Sequence, residues 1–278
     1  MLQKHIIHRL IQSAIEEDVG SGDITTSAIL TGEETGHARV VAKEDMVVAG
    51  IGVFKEVFIF SDEHIEFTGN FEDGKRIKDG DVLAEISGNL KSILTAERVA
   101  LNFLQRMCGI ATLTRRYVDE IRGADARILD TRKTTPGLRM LEKYAVRIGG
   151  GFNHRFGLYD GVLIKDNHID AAGGISAAVN RVSGDVPHTL KIEVEVKNLR
   201  EVEEALSAGV DVIMLDNMSV EKMRKAVSLI NGRVLVEASG NVTLSSVKEI
   251  AGTGVDFISV GALTHSAPAS DISLRVSG

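Results

Sequence analysis

Residues 212–217 read Val-Ile-Met-Leu-Asp-Asn, an apolar run of the β-strand type that ends in two polar side chains. Five further runs of the same kind occur between residues 126 and 262, at positions 126–133, 161–167, 190–195, 234–240 and 257–262. Stretches long enough for a helix separate them, and this alternation indicates parallel strands that all point the same way. The sequence therefore predicts a (β/α) barrel with polar residues at the carboxyl ends of its strands, where such barrels carry their active sites.

The first hundred residues follow a different pattern. Apolar residues at helical spacing between positions 6 and 14 predict a first helix, and the apolar stretch 53–60 predicts another. Strand-like pieces alternate with turns around that second helix, at residues 38–42, 46–51, 65–68 and 82–86. We therefore expect an N-terminal α+β layer rather than a continuation of the barrel.

The apolar spacing over residues 95–121 predicts one or two helices that join the two parts of the chain, and Gly109 offers the break if there are two. We place the N-terminal domain at residues 1–108 and the barrel at 109–266. Residues 267–278 follow the last predicted barrel strand, and we expect them to return to the N-terminal layer.

The composition is that of a globular protein with no excess of positive charge. The 278 residues are 44% hydrophobic and 26% charged, and the net charge is −7. This charge argues against a nucleic-acid partner. No apolar stretch approaches the roughly 20 residues that cross a bilayer, so we expect no membrane partner. Cys108 is the single cysteine and residues 1–10 show no signal-peptide core, which favours a cytoplasmic setting.

Basic residues nevertheless follow two of the predicted strands. Arg132 and Lys133 close the first run, and Lys165 closes the second. Arginine offers a planar fork for a carboxylate or phosphate, and lysine offers a point charge, so this clustering predicts a small anionic ligand. For Lys165, which follows apolar neighbours, three roles remain open: a cation for the substrate, a Schiff-base nucleophile, or a structural ion pair.

A glycine-rich connection leads into the second strand, where residues 149–157 read Gly-Gly-Gly-Phe-Asn-His-Arg-Phe-Gly. Glycines let the backbone approach a ligand, and their N–H groups can cradle an anion. A flexible loop explains three glycines equally well. The adjacent His154 and Arg155 favour a functional role.

Acidic and small residues follow the remaining strands. Glu193 and Glu195 share one face of their strand, and together with Asp216 they could hold Mg²⁺, bind sugar hydroxyls or pair with nearby cations. After the last two strands come the tripeptide 239–241, Ser-Gly-Asn, and the dipeptide 261–262, Gly-Ala. Loops at this position of (β/α) barrels commonly bind phosphate, although a tight turn also favours glycine.

Taken in order along the chain, these motifs resemble those of the quinolinate phosphoribosyltransferase family. The match extends over nearly the whole chain, and the joint order of its strings is highly specific. The strings are residues 17–26, 96–102, 130–137, 153–155, 163–168, 193–196, 215–217, 237–240 and 259–265.

The resemblance implies an N-terminal α/β layer followed by an incomplete TIM-like (β/α) barrel, which agrees with six predicted strands. It also implies the transfer of a phosphoribosyl group from phosphoribosyl pyrophosphate to quinolinate. Nicotinate mononucleotide, CO₂ and pyrophosphate are the products, in a step of de novo NAD synthesis that uses Mg²⁺. The family's working unit is a homodimer with shared active sites, and a larger homo-oligomer remains open.

Residue roles follow from the resemblance motif by motif. Three residues carry catalytic roles: Lys133, Glu195 and Asp216. Mg²⁺ would be held by Glu195 and Asp216, mostly through bound substrate. Four side chains would surround the quinolinate carboxylates: Arg132, His154, Arg155 and Lys165. The other substrate-binding residues are Thr131, Ser239, Gly240, Asn241, Val260, Gly261, Ala262, His265 and, from the neighbouring subunit, Arg98.

Three alternatives to this activity remain at the level of sequence. A related phosphoribosyltransferase would act on nicotinate or another planar acid and would need fewer cations. A Schiff-base aldolase would use Lys165 as its nucleophile. A sensor of phosphorylated metabolites would bind phosphoribosyl pyrophosphate without turnover, but it would not need six polar strand ends.

Overall fold

The computed structural model describes residues 2–277, so that Met1 and Gly278, the outermost residues of the predicted segments 1–108 and 267–278, lie outside it. The chain divides into two compact units. The first unit comprises Met1–Arg115, Thr134–Gly150 and Thr264–Gly278, and the second comprises Arg116–Lys133 and Gly151–Leu263. The units therefore do not coincide with continuous stretches of sequence.

The first unit is built around an antiparallel sheet of four strands in the order β12-β1-β5-β3, beside a two-stranded sheet of β2 and β4. Its strands are β1 (Thr35–Ala42), β2 (Met46–Val47), β3 (Glu66–Gly69), β4 (Arg76–Ile77), β5 (Val82–Asn89) and β12 (Ile272–Ser277). Its helices include α1 (Lys4–Val19), α2 (Ile24–Ile29), α3 (Ile51–Ser61) and α5 (Arg139–Ile148). The pairing of β12 with β1 brings the end of the chain back to the N-terminal sheet.

Both predicted N-terminal helices are confirmed, but the strand expected at residues 46–51 is wrong beyond Val47. Helix α3 begins at Ile51 because Asp73 caps it: the backbone N–H groups of Gly50 and Ile51 donate to the Asp73 carboxylate at 2.8 and 3.1 Å. A carboxylate is favoured there because the first N–H groups of a helix have no partner within the helix. The apolar run at residues 46–51 therefore divides between a strand and a helix.

Of the one or two helices expected over residues 95–121, the structure has one, and Gly109 does not break it. A single helix, α4, extends over Leu90–Glu120 and contains Gly109 in its interior. A Cβ at this position would overlap the backbone oxygen of Pro268, so the missing side chain lets the C-terminal segment cross the helix closely. Glycine here serves tertiary packing, at a cost to helix propensity of about 1 kcal/mol.

The second unit contains six parallel strands in the order β6-β11-β10-β9-β8-β7. They are β6 (Arg127–Leu129), β7 (Val162–Ile164), β8 (Ile192–Val196), β9 (Val212–Asp216), β10 (Leu235–Ser239) and β11 (Phe257–Ser259). Helices α6 (Asp166–Ala172), α7 (Ile175–Asp185), α8 (Leu199–Ser207), α9 (Val220–Ile230), α10 (Val247–Ala251) and α11 (Ala262–His265) follow the strands from β7 onward. Since β6 and β7 are the two ends of the order, the barrel is incomplete, as expected.

Strands of this barrel are buried on both faces, and this determines where their polar residues lie. In β8 the side chains of Ile192, Val194 and Val196 lie on one face and are buried, whereas Glu193 and Glu195 lie on the other. Because all six strands are parallel, their carboxyl ends share one edge of the sheet. Across residues 2–277, no helix is both long and apolar enough to cross a membrane.

Candidate active site

The first part of the site is anchored by Asp130, which follows β6 and is fully buried. One carboxylate oxygen of Asp130 accepts a hydrogen bond from Asn153 Nδ2 at 2.5 Å, and the other accepts from the backbone N–H of His154 at 2.9 Å. The same segment continues the pairing along β6, because the backbone N–H of Asp130 donates to the carbonyl of Phe152. Asp130 therefore fixes the main chain that carries the predicted substrate ligands His154 and Arg155.

The imidazole of His154 lies between a backbone amide and a buried carboxylate. Its Nδ1 accepts a hydrogen bond from the backbone N–H of Arg155 at 2.8 Å, and its Nε2 lies 3.0 Å from Oε2 of Glu193. Oε2 of Glu237 lies 3.7 Å from the same Nε2. Both ring nitrogens thus have partners within the protein.

Glu193 and Glu237, which we call the buried acid pair, face the barrel interior on β8 and β10. They are 7% and 2% exposed, and one oxygen of each, Oε1, is buried with no hydrogen-bond partner among the described residues. Burial, and then the negative charge of Glu193, raises the pKa of Glu237 to about 8. At neutral pH the Glu237 carboxyl is therefore largely neutral, which lets two carboxyl groups share one apolar interior.

Two guanidinium groups converge beside this cluster. Burial, and next the positive charge of Arg132, lowers the pKa of Arg155, while Glu193 and Asp160 act in the opposite direction. Arg155 is held by a hydrogen bond from its Nη1 to the carbonyl oxygen of Gly161 at 2.9 Å. Like charges are brought together only where the fold or a ligand compensates them, so this pair is suited to an anion. Lys133 and Thr131, on the same loop as Arg132, interact through a hydrogen bond from the Lys133 backbone N–H to Thr131 Oγ1.

Further along the edge, a lysine is paired with a carboxylate across two neighbouring strands. Lys165 Nζ, after β7, lies 3.3 Å from Oε2 of Glu195 on β8, with side chains that are 49% and 11% exposed. Lys197 Nζ forms a second ion pair with Asp166 at 3.2 Å. The Lys165 side chain is therefore half exposed and ion-paired, although its neighbours Leu163 and Ile164 are buried as expected.

Asp216 ends β9 and is joined to the next loop through two asparagines. Asn217 Nδ2 donates to Asp216 at 3.0 Å, and Asn241 Nδ2 donates to Asn217 Oδ1 at 2.9 Å. Both asparagines have left-handed backbone angles, with φ of 51° and 49°. Gly240 has a φ of 93°, and a Cβ on it would overlap the Asn217 side chain. The turn after β10 therefore requires glycine next to Asp216.

The last two strands end in a pair of serines. Ser259 Oγ donates to Ser239 Oγ at 2.9 Å, and the backbone N–H of Val260 donates to the carbonyl oxygen of Leu129 at 2.9 Å. Helix α11 starts at Ala262, directly after Gly261. Small residues thus follow the last two strands, where phosphate sites of (β/α) barrels lie.

Known proteins match this chain over almost its whole length. Residues 23–108 match the family model of the quinolinate phosphoribosyl transferase N-terminal domain, and residues 110–275 match that of the C-terminal domain. The chain belongs to the quinolinate phosphoribosyltransferase family. A family member from Bacillus subtilis, a probable nicotinate-nucleotide pyrophosphorylase (carboxylating), is 46% identical over 97% of this chain and 93% of its own.

Two further relatives agree with this assignment to the quinolinate phosphoribosyltransferase family. A probable nicotinate-nucleotide pyrophosphorylase (carboxylating) from Synechocystis is 48% identical, over 98% of this chain and 92% of its own. The crystal structure of NadC from Streptococcus pyogenes superposes with a TM-score of 0.96 at 44% identity, covering 100% of this chain and 98% of the other. Similarity in sequence and in structure therefore extends over both units.

Within the second unit, the structure brings most of the predicted site residues of this family to one edge of the barrel. Arg98 lies exposed on α4, and His265 is exposed at the end of α11, both in the first unit.

The glycine triplet is not a simple anion cradle: a Cβ on Gly149 would lie 2.6 Å from the backbone oxygen of Ala111, so this glycine permits close packing on α4.

Sequence reasoning missed the Glu237 side chain as part of the site. The one signal that could have found it is the strand period of two, because Glu237 must share a face with Ser239 at the strand end.

Proposed function

We propose that the protein transfers the phosphoribosyl group of phosphoribosyl pyrophosphate to quinolinate and releases CO₂ and pyrophosphate, which gives nicotinate mononucleotide. The observation that carries the proposal is the convergence of Arg132 and Arg155 at the edge of the barrel where Glu195 and Asp216 also lie. Quinolinate is a dianion and phosphoribosyl pyrophosphate a polyanion, so a site for both needs several cations. In a chain of net charge −7, such cations mark a local site and not a basic surface.

The cations divide between the substrates. Arg132 and Arg155 would bind the quinolinate carboxylates through paired N–H groups, and Lys165 would add a point charge. Lys133, exposed on the loop after β6, would lie between quinolinate and phosphoribosyl pyrophosphate. His154 belongs to the same part of the site.

The carboxylates of the site serve the reacting sugar. The ring nitrogen of quinolinate displaces pyrophosphate at the ribose C1 through a state of oxocarbenium character, which Glu195 and Asp216 would stabilise. Once that nitrogen carries four bonds, its positive charge stabilises the carbanion left when CO₂ departs. The protein positions the reactants and neutralises charge, with no covalent intermediate on the enzyme.

The donor set at the strand ends fits Mg²⁺. Glu195 and Asp216 supply carboxylate oxygens on neighbouring strands, and Glu195 is 11% exposed, so that one side faces the open edge. Mg²⁺ prefers a few carboxylates together with substrate phosphates over an all-protein cage. When bound, the ion would neutralise charge on the leaving pyrophosphate.

The turns after the last strands would hold the 5′-phosphate. The residues for this role are Ser239, Gly240, Asn241, Val260, Gly261 and Ala262, and His265 would add a donor. The left-handed backbone of Gly240 supports the proposal because successive N–H groups in such turns can form an anion-binding concavity.

We further propose that the protein works in the cytoplasm as a homodimer in which Arg98 of each subunit enters the site of the other. Arg98 is exposed on α4, so its guanidinium group is accessible to a partner. A shared site would bring one more cation to the quinolinate carboxylates.

A Schiff-base role for Lys165 has less support. Such a lysine must lose its proton, and burial without a counter-charge promotes this loss. Lys165 is instead half exposed and lies 3.3 Å from Glu195, an arrangement that stabilises the charged amine.

The decisive test incubates the purified protein with quinolinate, phosphoribosyl pyrophosphate and Mg²⁺ and measures CO₂ and nicotinate mononucleotide. We expect equal amounts of both products and none after chelation of Mg²⁺. Turnover of nicotinate with none of quinolinate would refute the substrate assignment, and borohydride trapping of an adduct on Lys165 would refute the non-covalent mechanism.

The shared site is tested by mixing two inactive variants, Arg98→Ala and Lys165→Ala. After subunit exchange we expect about a quarter of wild-type activity, since half of the dimers are mixed and each holds one intact site. Arg116→Ala, which changes another exposed arginine of α4, is the matched control and should keep full activity. No recovery after verified exchange would contradict the arrangement.

A further inference from the structure

The buried acid pair, Glu193 and Glu237, has no role in the chemistry described above, yet it lies directly against His154, which the sequence predicts to be a substrate ligand. Glu193 Oε2 is 3.0 Å from His154 Nε2, and Glu237 Oε2 is 3.7 Å from it. Both acids are more than nine-tenths buried, and each has an oxygen without a hydrogen-bond partner among residues 2–277. Buried charge of this kind is costly, so the arrangement calls for a function.

The hydrogen bonds of the His154 ring determine its tautomer. Nδ1 accepts the backbone N–H of Arg155 at 2.8 Å and so must carry a lone pair and no proton. A neutral imidazole has one N–H, which then lies on Nε2 and points at Glu193. Neither ring nitrogen is left to contact quinolinate directly.

We propose that Glu193 and Glu237 are positioning residues that hold His154 as the neutral Nε2–H tautomer, and that His154 in turn holds the main chain of Arg155 so that its guanidinium faces the anionic substrate. This inference rests on the proposed function for the identity of that substrate. His154 is thereby a positioning residue as well and not a ligand of the carboxylates.

One further contact and one pKa shift support this arrangement. The backbone N–H of His154 donates to Asp130, so the residue is held from its main chain and from both ring nitrogens. The raised pKa of Glu237, caused by burial and by Glu193, leaves the pair with largely one negative charge at neutral pH. That single charge suffices to accept one N–H from a neutral ring.

A divalent metal ion is the competing use of the same three residues. One ligand atom from each of His154, Glu193 and Glu237 lies within 4.8 Å of the others. A metal on Nε2 would need the lone pair of that nitrogen, and the proton would have to move to Nδ1. The hydrogen bond from Arg155 would then be lost, so the observed geometry favours positioning.

The test compares Glu193→Ala with Glu193→Gln. Glutamine keeps an acceptor oxygen for the ring N–H but loses the charge, so a positioning role predicts rescue. We expect Glu193→Ala to raise the KM for quinolinate about tenfold and to leave kcat and the KM for phosphoribosyl pyrophosphate within about twofold of wild type. We expect Glu193→Gln to restore the KM for quinolinate. Glu203→Ala, an exposed glutamate of α8, is the matched control and should leave all three unchanged. A glutamine variant as impaired as the alanine variant would overturn the proposal.

Nitrogen-15 NMR of the histidine rings reads the tautomer without turnover, and His154→Gln assigns the signal. We expect a neutral Nε2–H ring in the free protein and in the quinolinate complex. A doubly protonated ring in the complex would overturn the proposal, as would conversion of the His154 Nε2 signal from an N–H to a metal-bound nitrogen on titration with Zn²⁺ alone. A wild-type protein with this tautomer but no turnover of quinolinate would refute the proposed function and leave the positioning of His154 standing.

Discussion

Replacing Asp130 with alanine tests whether one buried carboxylate holds the segment that carries His154 and Arg155. Asp130 is fully buried and accepts hydrogen bonds from Asn153 Nδ2 at 2.5 Å and from the His154 backbone N–H at 2.9 Å. In the alanine variant both donors lose their acceptor. Asn153 is exposed and can turn to water, whereas the half-buried amide of His154 cannot do so freely.

The magnitude follows from these two donors. An exposed donor that loses its acceptor and bonds to water instead lowers the stability by about 0.5–1 kcal/mol. A buried donor that is left without any acceptor lowers it by about 1–3 kcal/mol. We therefore expect Asp130→Ala to lower the free energy of unfolding by about 1.5–4 kcal/mol. Asp130→Asn keeps one acceptor for the His154 amide but turns an N–H₂ group toward Asn153, so it should lose about half as much.

Urea unfolding followed by circular dichroism measures the stability, and hydrogen exchange of the peptide over residues 151–157 locates the effect. A loss of about 1.4–2.8 kcal/mol at the His154 amide corresponds to exchange about ten to a hundred times faster in the alanine variant. Asp185→Ala, an exposed aspartate at the end of α7, is the control and should stay within about 0.5 kcal/mol of wild type. An Asp130→Ala protein as stable as that control, with unchanged exchange at residues 151–157, would refute the reasoning.

Three other predictions concern single positions. The folded-state pKa of Glu237 is raised to about 8 from a usual 4.5. Between these two pH values the folded protein keeps a proton that the unfolded chain loses. The wild-type protein therefore becomes less stable as the pH rises through this range, by at most about 1.4 kcal/mol per pH unit. Glu237→Gln should remove this slope in urea unfolding at pH 5.5, 6.5 and 7.5, and parallel profiles would contradict it. Gly109→Ala should destabilise the protein by about 3 kcal/mol or more, because its Cβ would overlap the Pro268 carbonyl; an unchanged midpoint of thermal unfolding would count against this contact. Gly240→Ala should add about 1–2 kcal/mol of backbone strain and displace Asn217. It should raise the KM for phosphoribosyl pyrophosphate more than the KM for quinolinate. Equal changes in both KM values would contradict a phosphate-binding role for the turn.

The barrel could be predicted because each of its strands follows the same rule. Runs such as residues 212–217 combine a buried apolar stretch with a polar end, and the structure has a parallel strand at every one of the six predicted positions. Long periodic patterns identify α1 and α3 in the same way. The short elements α2 (Ile24–Ile29) and β4 (Arg76–Ile77) carry too few residues for any period to show.

The roles of individual glycines are hard to predict from the sequence because they depend on which atoms pack against each glycine in the fold. Gly109 reads as a helix break in the sequence but is a point of close approach for Pro268, which is distant along the chain. Gly149 reads as part of an anion cradle but packs against the backbone oxygen of Ala111. Gly240 does have the left-handed backbone that its turn requires. Only the tertiary neighbours distinguish these three cases.

The candidate site has two layers, and the sequence reveals one of them more readily. Glu195 and Ser239 end their strands at the edge of the barrel, whereas Glu193 and Glu237 lie two residues earlier on the same faces, about 7 Å deeper. The outer layer contacts ligand and is visible as polar residues after apolar runs. The inner layer is hidden inside those runs, and we infer that it sets orientation through His154. Substitutions of the outer layer should therefore alter turnover with little loss of stability. In the inner layer, Glu193→Ala should change the affinity for quinolinate and Glu237→Gln the pH dependence of stability, while both leave turnover nearly intact.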